Sequence, residues 1–127
     1  MNIWFRGEVG DNQSWGISTI GNVEGFLKHG AGVRIDPMNI YGEIPDVVKK
    51  CLTNTYDSYD VFIRQGLAKH MDELATISKK VVKISLSCWD SSLIDKETAK
   101  IHNDHADGVF ALSSFTKKAF TDAGCCG

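Results

Sequence analysis

The sequence has no run of apolar residues near the roughly 20 needed to cross a bilayer, so no membrane span is expected. No secretory leader is expected either. The apolar start over residues 1–6 is too short, and Gly7, Glu8 and Asp11 follow at once. A cytoplasmic location is the expectation. Basic charge is not in excess: the net charge of −2 provides no global field for nucleic acid or anionic lipid, and no nucleic-acid partner is expected. The four cysteines, Cys51, Cys88, Cys125 and Cys126, form no CxxC pair, and no histidine stands at zinc-finger spacing. Cys51 and Cys88 read as reduced thiols on a helix face and at a strand end. The glycine patterns GxGxxG and GxxxxGK[ST] are both missing, so neither a dinucleotide nor a P-loop nucleotide is indicated. No internal repeat, low-complexity tract or inter-domain linker interrupts the chain.

What is present suits one globular domain over residues 1–127. Hydrophobic residues make up 43% and charged residues 24%, enough for a real core. Residues 81–120 read as strand, polar turn, helix, strand, polar turn, helix. Upstream, apolar runs at 2–5, 32–35 and 60–63 read as three earlier strands. Ile17, Ile20, Val23 and Leu27 fall on one face of a first helix, with Ser14 as its N-cap and Gly30 past its end. Gly21 and Gly25, one turn apart inside it, point to close packing of that helix on a sheet. Pro45 starts a short helix with Ile44, Val47, Val48 and Cys51 on its face. A helix follows over about 67–78, with Leu67, Met71 and Leu74 inward, and the fourth strand, 80–86, reads as buried on both faces at its start. Asp95 caps a helix to His105, and Ser113 or Ser114 caps a last helix with Phe115, Ala119 and Phe120 inward and Gly124 at its end. Five alternations of this kind specify an α/β fold: a three-layer, Rossmann-like, doubly wound parallel sheet of five strands in the order 3-2-1-4-5.

In such a sheet ligands bind outside the carboxyl ends of the strands. The first loop, residues 6–16, carries Gly7, Gly10 and Gly16, which let the backbone approach a ligand, and Trp15, which can stack on a ring or pack on the core edge. A plain solvated loop is the alternative. Arg64 ends the third strand, as an anion ligand or as a solvated side chain. Trp89, Asp90 and Ser91 end the fourth, with Asp90 able to take a proton from a hydroxyl, or else as an ordinary capped turn. Ser113, Ser114 and Lys117 follow the fifth. His102 and His105 face one side of a helix, but without a third ligand they read as a solvated helix end rather than a metal pair. No metal is expected.

These residues resemble GT-B-type glycosyltransferases of the retaining, glycogen-synthase-like kind, in their N-terminal domain. Three segments carry the resemblance: the glycine-containing loop from Gly7 to Gly16 with the helix that leads to Gly30; the aromatic–acidic–serine segment Trp89-Asp90-Ser91; and residues 106–124, which match D-x-V-x-x-x-S-x-F-x-K-x-x-F-x-x-x-G from Asp107 to Gly124. The wider family commonly has a histidine at the fourth strand end, where this sequence has Trp89-Asp90. The resemblance implies the acceptor-binding N-terminal half of a sugar-nucleotide-dependent glycosyltransferase, inactive alone. Its cleft side would be formed by Gly7, Gly10, Trp15, Gly16, Arg64, Trp89, Ser91, Ser113, Ser114 and Lys117, with Asp90 as the catalytic candidate. It also implies a sugar or glycan acceptor, no cofactor held by this domain alone, a nucleotide sugar as donor in the full-length enzyme, a C-terminal donor-binding domain outside this chain, and a homodimer if the surface facing that domain is apolar.

Two other readings stay open. One is a stand-alone small α/β module that binds a ligand or partner. Its receiver-like form would need acidic residues where Arg6-Gly7 and Arg64-Gln65 stand, and its flavodoxin-like form would need more hydroxyls in the first loop. The other is a hydrolase using Cys88 or Ser87, but no nucleophile-elbow pattern surrounds either.

Overall fold

The computed structural model describes residues 1–88, 94–111 and 114–124, with 88 and 115 described by backbone alone. Strands β1 (Asn2–Val9), β2 (Gly32–Ile40), β3 (Val61–Leu67), β4 (Val82–Cys88) and β5 (Gly108–Ala111) alternate with helices α1 (Ser14–Lys28), α2 (Asp46–Lys49), α3 (Lys96–His105) and α4 (Ser114–Asp122). Two 3-10 segments, Lys50–Leu52 and Ala68–Thr76, complete the connections. The five strands form one parallel sheet, ordered β2-β1-β3-β4-β5. The α/β, Rossmann-like class is as expected. The strand order differs from 3-2-1-4-5 in one respect: β3 lies beside β1 on its inner side, not outside β2. The cause is the segment that leads into β3. Asp60 N donates to Asn2 O at 2.9 Å, Asn2 N donates to Asp60 Oδ2 at 2.8 Å, and Asn2 Nδ2 reaches Ser58 O at 3.3 Å. These bonds bring the chain back to the start of β1.

The chain divides into two compact units, Met1–Phe62 and Ile63–Gly127. In the first, β1 alternates strictly: Ile3, Phe5, Gly7 and Val9 are buried, and Asn2, Trp4, Arg6 and Glu8 are half-buried. Val33 and Ile35 of β2 and Ile20 and Val23 of α1 add to its core, and α1 packs on both strands. The half-buried face is polar and aromatic. Trp4 stands beside Arg34 in register, with the guanidinium 5.7 Å from the ring centroid, and Arg6 opposes Asp36 with an ion pair at 3.1 Å. Trp4 also meets Phe62 edge-on at 4.8 Å and Tyr59 at 5.7 Å. β2 is a sheet edge, where a proline costs no ladder bond. Pro37 sits there opposite Gly7, and the register shifts immediately after.

Helix α1 begins one residue earlier than the Ser14 cap implied: the Gln13 side chain accepts from Gly16 N at 2.9 Å. Gly30 past its end has φ +86°, the left-handed conformation that glycine adopts without strain. Gly21 and Gly25 do not pack on the sheet, because a β-carbon at either would meet open space. The glycine that makes the close approach is Gly16. Ile17, placed inward by its spacing, is 55% exposed, and Thr19 takes the buried position instead, its hydroxyl bonded to Trp15 O at 3.2 Å. After β2, Val48 and Cys51 are buried and Val47 is exposed.

In the second unit the helix expected over 67–78 is a 3-10 run with a kink at His70; Ala68, Met71 and Leu74 are its buried residues. The expectation that β4 starts buried on both faces is overturned: Val82 is 46% exposed, while Lys83 is buried. Lys83 Nζ donates to Val81 O at 2.8 Å and Ser78 O at 3.2 Å, so its charge is satisfied within the turn before the strand. Asp95 caps α3 as expected, accepting from Thr98 N at 2.7 Å. β4 pairs with β5 from Ile84 opposite Gly108 to Ser87 opposite Ala111. Ala68, Ala99 and Phe120 form a small core with Ile94, Val109 and Ala123 against it.

Candidate functional site

At the carboxyl end of β1 the loop to α1 spans residues 10–13 and is closed by backbone bonds to the segment after β2. Tyr41 N donates to Val9 O at 2.9 Å, Asn12 N to Tyr41 O at 3.2 Å, and Asp11 N to Glu43 O at 3.0 Å. Asp11 Oδ1 returns a bond from Glu43 N at 2.7 Å. The glycines serve this closure. Gly10 has φ +135°, and a β-carbon on it would overlap the Tyr41 carbonyl. A β-carbon on Gly16 would overlap the Gly10 carbonyl. Gly7 lies inside β1 and is buried. Gly10 and Gly16 therefore bring backbone to backbone, and Trp15 is half-buried beside them. Of the sequence candidates, Gly10, Trp15 and Gly16 are brought together here. Glu8, on the strand itself, holds Asn39 Nδ2 at 3.3 Å.

In the second unit, Arg64 is 5% exposed, which fits neither of its two readings as an open anion ligand or a solvated side chain. Its Nη1 donates to Gln65 O, and its Nε lies 3.5 Å from Glu73 Oε2. Gly66 makes room for this: a β-carbon there would stand 2.8 Å from Arg64 Nη1. Ser114 and Lys117 are exposed at the start of α4. Trp89, Asp90, Ser91 and Ser113 lie outside the described residues.

The group that sequence reasoning missed is a buried polar chain between β4 and α3. Ser85 and Ser87 are 0% exposed and His102 is 2% exposed. His102 Nδ1 lies 2.9 Å from Thr98 O, and its Nε2 lies 2.9 Å from Ser85 Oγ. A carbonyl only accepts, so Nδ1 carries the proton and Nε2 accepts from the Ser85 hydroxyl. Ser85 and Ser87 are bonded to each other. Burial lowers the His102 pKa, partly offset by the Thr98 carbonyl, and the imidazole is neutral. His102 is thus not part of a solvated helix end, and both its ring nitrogens are engaged. The available signal was the run Thr98, Ala99, His102, which falls on one helical face. Ser87, a candidate nucleophile, is enclosed in the same chain. Among the described residues no three His, Cys, Asp or Glu converge on a point that could hold a metal ion.

The fold defines an α/β protein with an all-parallel sheet. Among the described residues no helix is long and apolar enough to cross a membrane. No family model, curated protein or solved structure matches the chain.

Proposed function

We propose that this chain is the acceptor-side half of a sugar-nucleotide-dependent glycosyltransferase. The observation that carries the reading is the local fold of residues 106–124. The motif from Asp107 to Gly124 requires a strand, a polar switch, a helix and a terminal glycine. β5, α4 and Gly124 at φ +83° follow one another in that order. Ser114 and Lys117 project from the first turns of α4 into solvent, where a hydroxyl and an ammonium suit a polyhydroxylated acceptor. The nucleotide sugar would be held by a separate donor domain, and Asp90 is the candidate for the proton transfer.

Saturation-transfer NMR against a panel of oligosaccharides and nucleotide sugars tests this. The expected result is binding of at least one glycan, weakened at least about tenfold by Lys117→Ala, and no binding of free nucleotide sugar. Binding of nucleotide sugars without any glycan, or sugar transfer by this chain alone, would overturn it. Self-association belongs to the same reading. Val82 and Phe110 lie exposed on one face of β4 and β5, and light scattering is expected to report a dimer at high concentration.

A second reading, a self-sufficient ligand- or partner-binding module, is favoured by the strand order, which is that of flavodoxin-like sheets. A yellow, flavin-bearing preparation would support it in place of the first.

A further inference from the structure

We propose that α3 is held to β4 by an acid-sensitive latch, in which protonation of His102 releases the helix from the strand. The latch is the chain Thr98 O, His102, Ser85, Ser87 already described, which joins the helix backbone to the strand with no water-exposed member. In the neutral state every proton in it has an acceptor: Nδ1–H on Thr98 O, the Ser85 hydroxyl on Nε2, and the Ser87 hydroxyl on Ser85 Oγ.

An added proton can only go to the Nε2 lone pair. The Ser85 hydroxyl must then turn from Nε2 to Ser87 Oγ, and Ser87 must find a new acceptor. A full positive charge would also be lodged at a position that is 2% exposed. Among the described residues, nothing opposite neutralises it. On β4 the row facing α3 is Lys83, Ser85 and Ser87, and its one charged member is a cation whose ammonium is held by Ser78 O and Val81 O, 3.7 Å from Asp107. On α3 the nearest titratable neighbour on the same face is His105, one turn on. The buried residues of the 3-10 run are Ala68, Met71 and Leu74; those described on α4 are Thr116, Ala119 and Phe120. Phe120 meets the imidazole edge-on at 4.8 Å. Among the described residues no carboxylate faces the ring, and burial without a counter-charge favours the neutral form.

The sign follows directly. The folded His102 pKa is lowered from 6.5, so the released state binds the proton more tightly. Docking of α3 is complete above about 6.5 and weakens as pH falls toward the lower, folded value. One linked proton gives up to about a tenfold change in the opening equilibrium per pH unit across that window.

Amide hydrogen exchange on the full chain, corrected for intrinsic rates and read as α3 protection relative to β1, tests the latch between pH 7.5 and 5. The expected result is a fall of up to about tenfold per pH unit below pH 6.5, with the His102 ring protons titrating in step. In His102→Gln the relative protection should be flat with pH. A flat wild-type ratio, or the same fall in His102→Gln, would overturn the proposal. If that variant does not fold, the wild-type ring titration decides: a His102 pKa at the ordinary value, or one uncoupled from the α3 amides, refutes the latch.

Discussion

The Cα of Gly10 lies so close to the carbonyl of Tyr41 that a β-carbon on Gly10 would overlap that oxygen. The turn after β1 and the turn after β2 are therefore one folded object, and the first glycine of the loop is the point where they meet. Asp11 fastens the same object from its side chain through Glu43 N. A loop closed in this way presents α1's N-terminal turn at a fixed position, while its glycines are spent on internal packing.

Gly10→Ala should lower stability by at least roughly 1–3 kcal/mol, the usual cost of a non-glycine residue in a disfavoured backbone region, with the overlap adding to it. Urea denaturation measures the loss. A variant within about 0.5 kcal/mol of wild type would mean that the two turns are not so joined.

Gly21→Ala and Gly25→Ala should have the opposite sign. Both sit in the interior of α1 with open space where the methyl would go. Each is expected to stabilise by about 0.5–1 kcal/mol through helix propensity alone. A loss of stability in either would place an unseen contact on that helix face.

Asp95 supplies the pH dependence at the other end of the scale. The Thr98 backbone N–H holds its carboxyl below the ordinary value of 3.8. A carboxylate favoured in the folded state stabilises above its unfolded pKa, and that contribution is lost as pH falls through the lower folded value. Protection of the Thr98 amide, corrected for its intrinsic exchange rate, should therefore fall in acid in the wild type. In Asp95→Asn, which keeps an acceptor but no charge, it should lose that dependence, and in Asp95→Ala it should be low throughout.

Cys51 is 1% exposed, and burial raises its thiol pKa. Its thiolate is suppressed twice, by burial and by protonation. Iodoacetamide labelling followed by peptide mass spectrometry should show Cys51 modified at least about tenfold more slowly in the native chain than in urea. Equal rates would mean that the turn carrying Cys51 opens freely.

Strand and helix identity could be read in the sequence because they rest on local periodicity. α3 with its Asp95 cap, and α4 with Gly124 after it, came from spacing and capping alone. The lengths of β1 and β2 could not be read that way. Both strands continue past their apolar runs through residues paired across the ladder, Arg6 with Asp36 and Glu8 with Asn39, and a polar run with glycine and proline in it resembles a loop. The alternation Phe5, Gly7, Val9 was the faint sign of continuation. Strand order was set by residues 53–60, which carry no periodic signal and act through side-chain bonds from Asn2 and Asp60. The buried chain at His102 was hidden because a histidine near a helix end is ordinarily solvated. Burial here follows from what Ser85 and Ser87 offer across the gap, and single-residue propensities do not record that.

Asn54 Nδ2 donates to the carbonyl of Val33 at 3.1 Å, and Pro37 lies four residues further along the same edge strand. One half of that strand thus has an acceptor already occupied by a side chain, and the other half has a residue with no N–H to offer. A second extended chain arriving at this margin would meet interrupted hydrogen-bonding on both halves, which guards the sheet against runaway strand addition and the fibrils that grow from it.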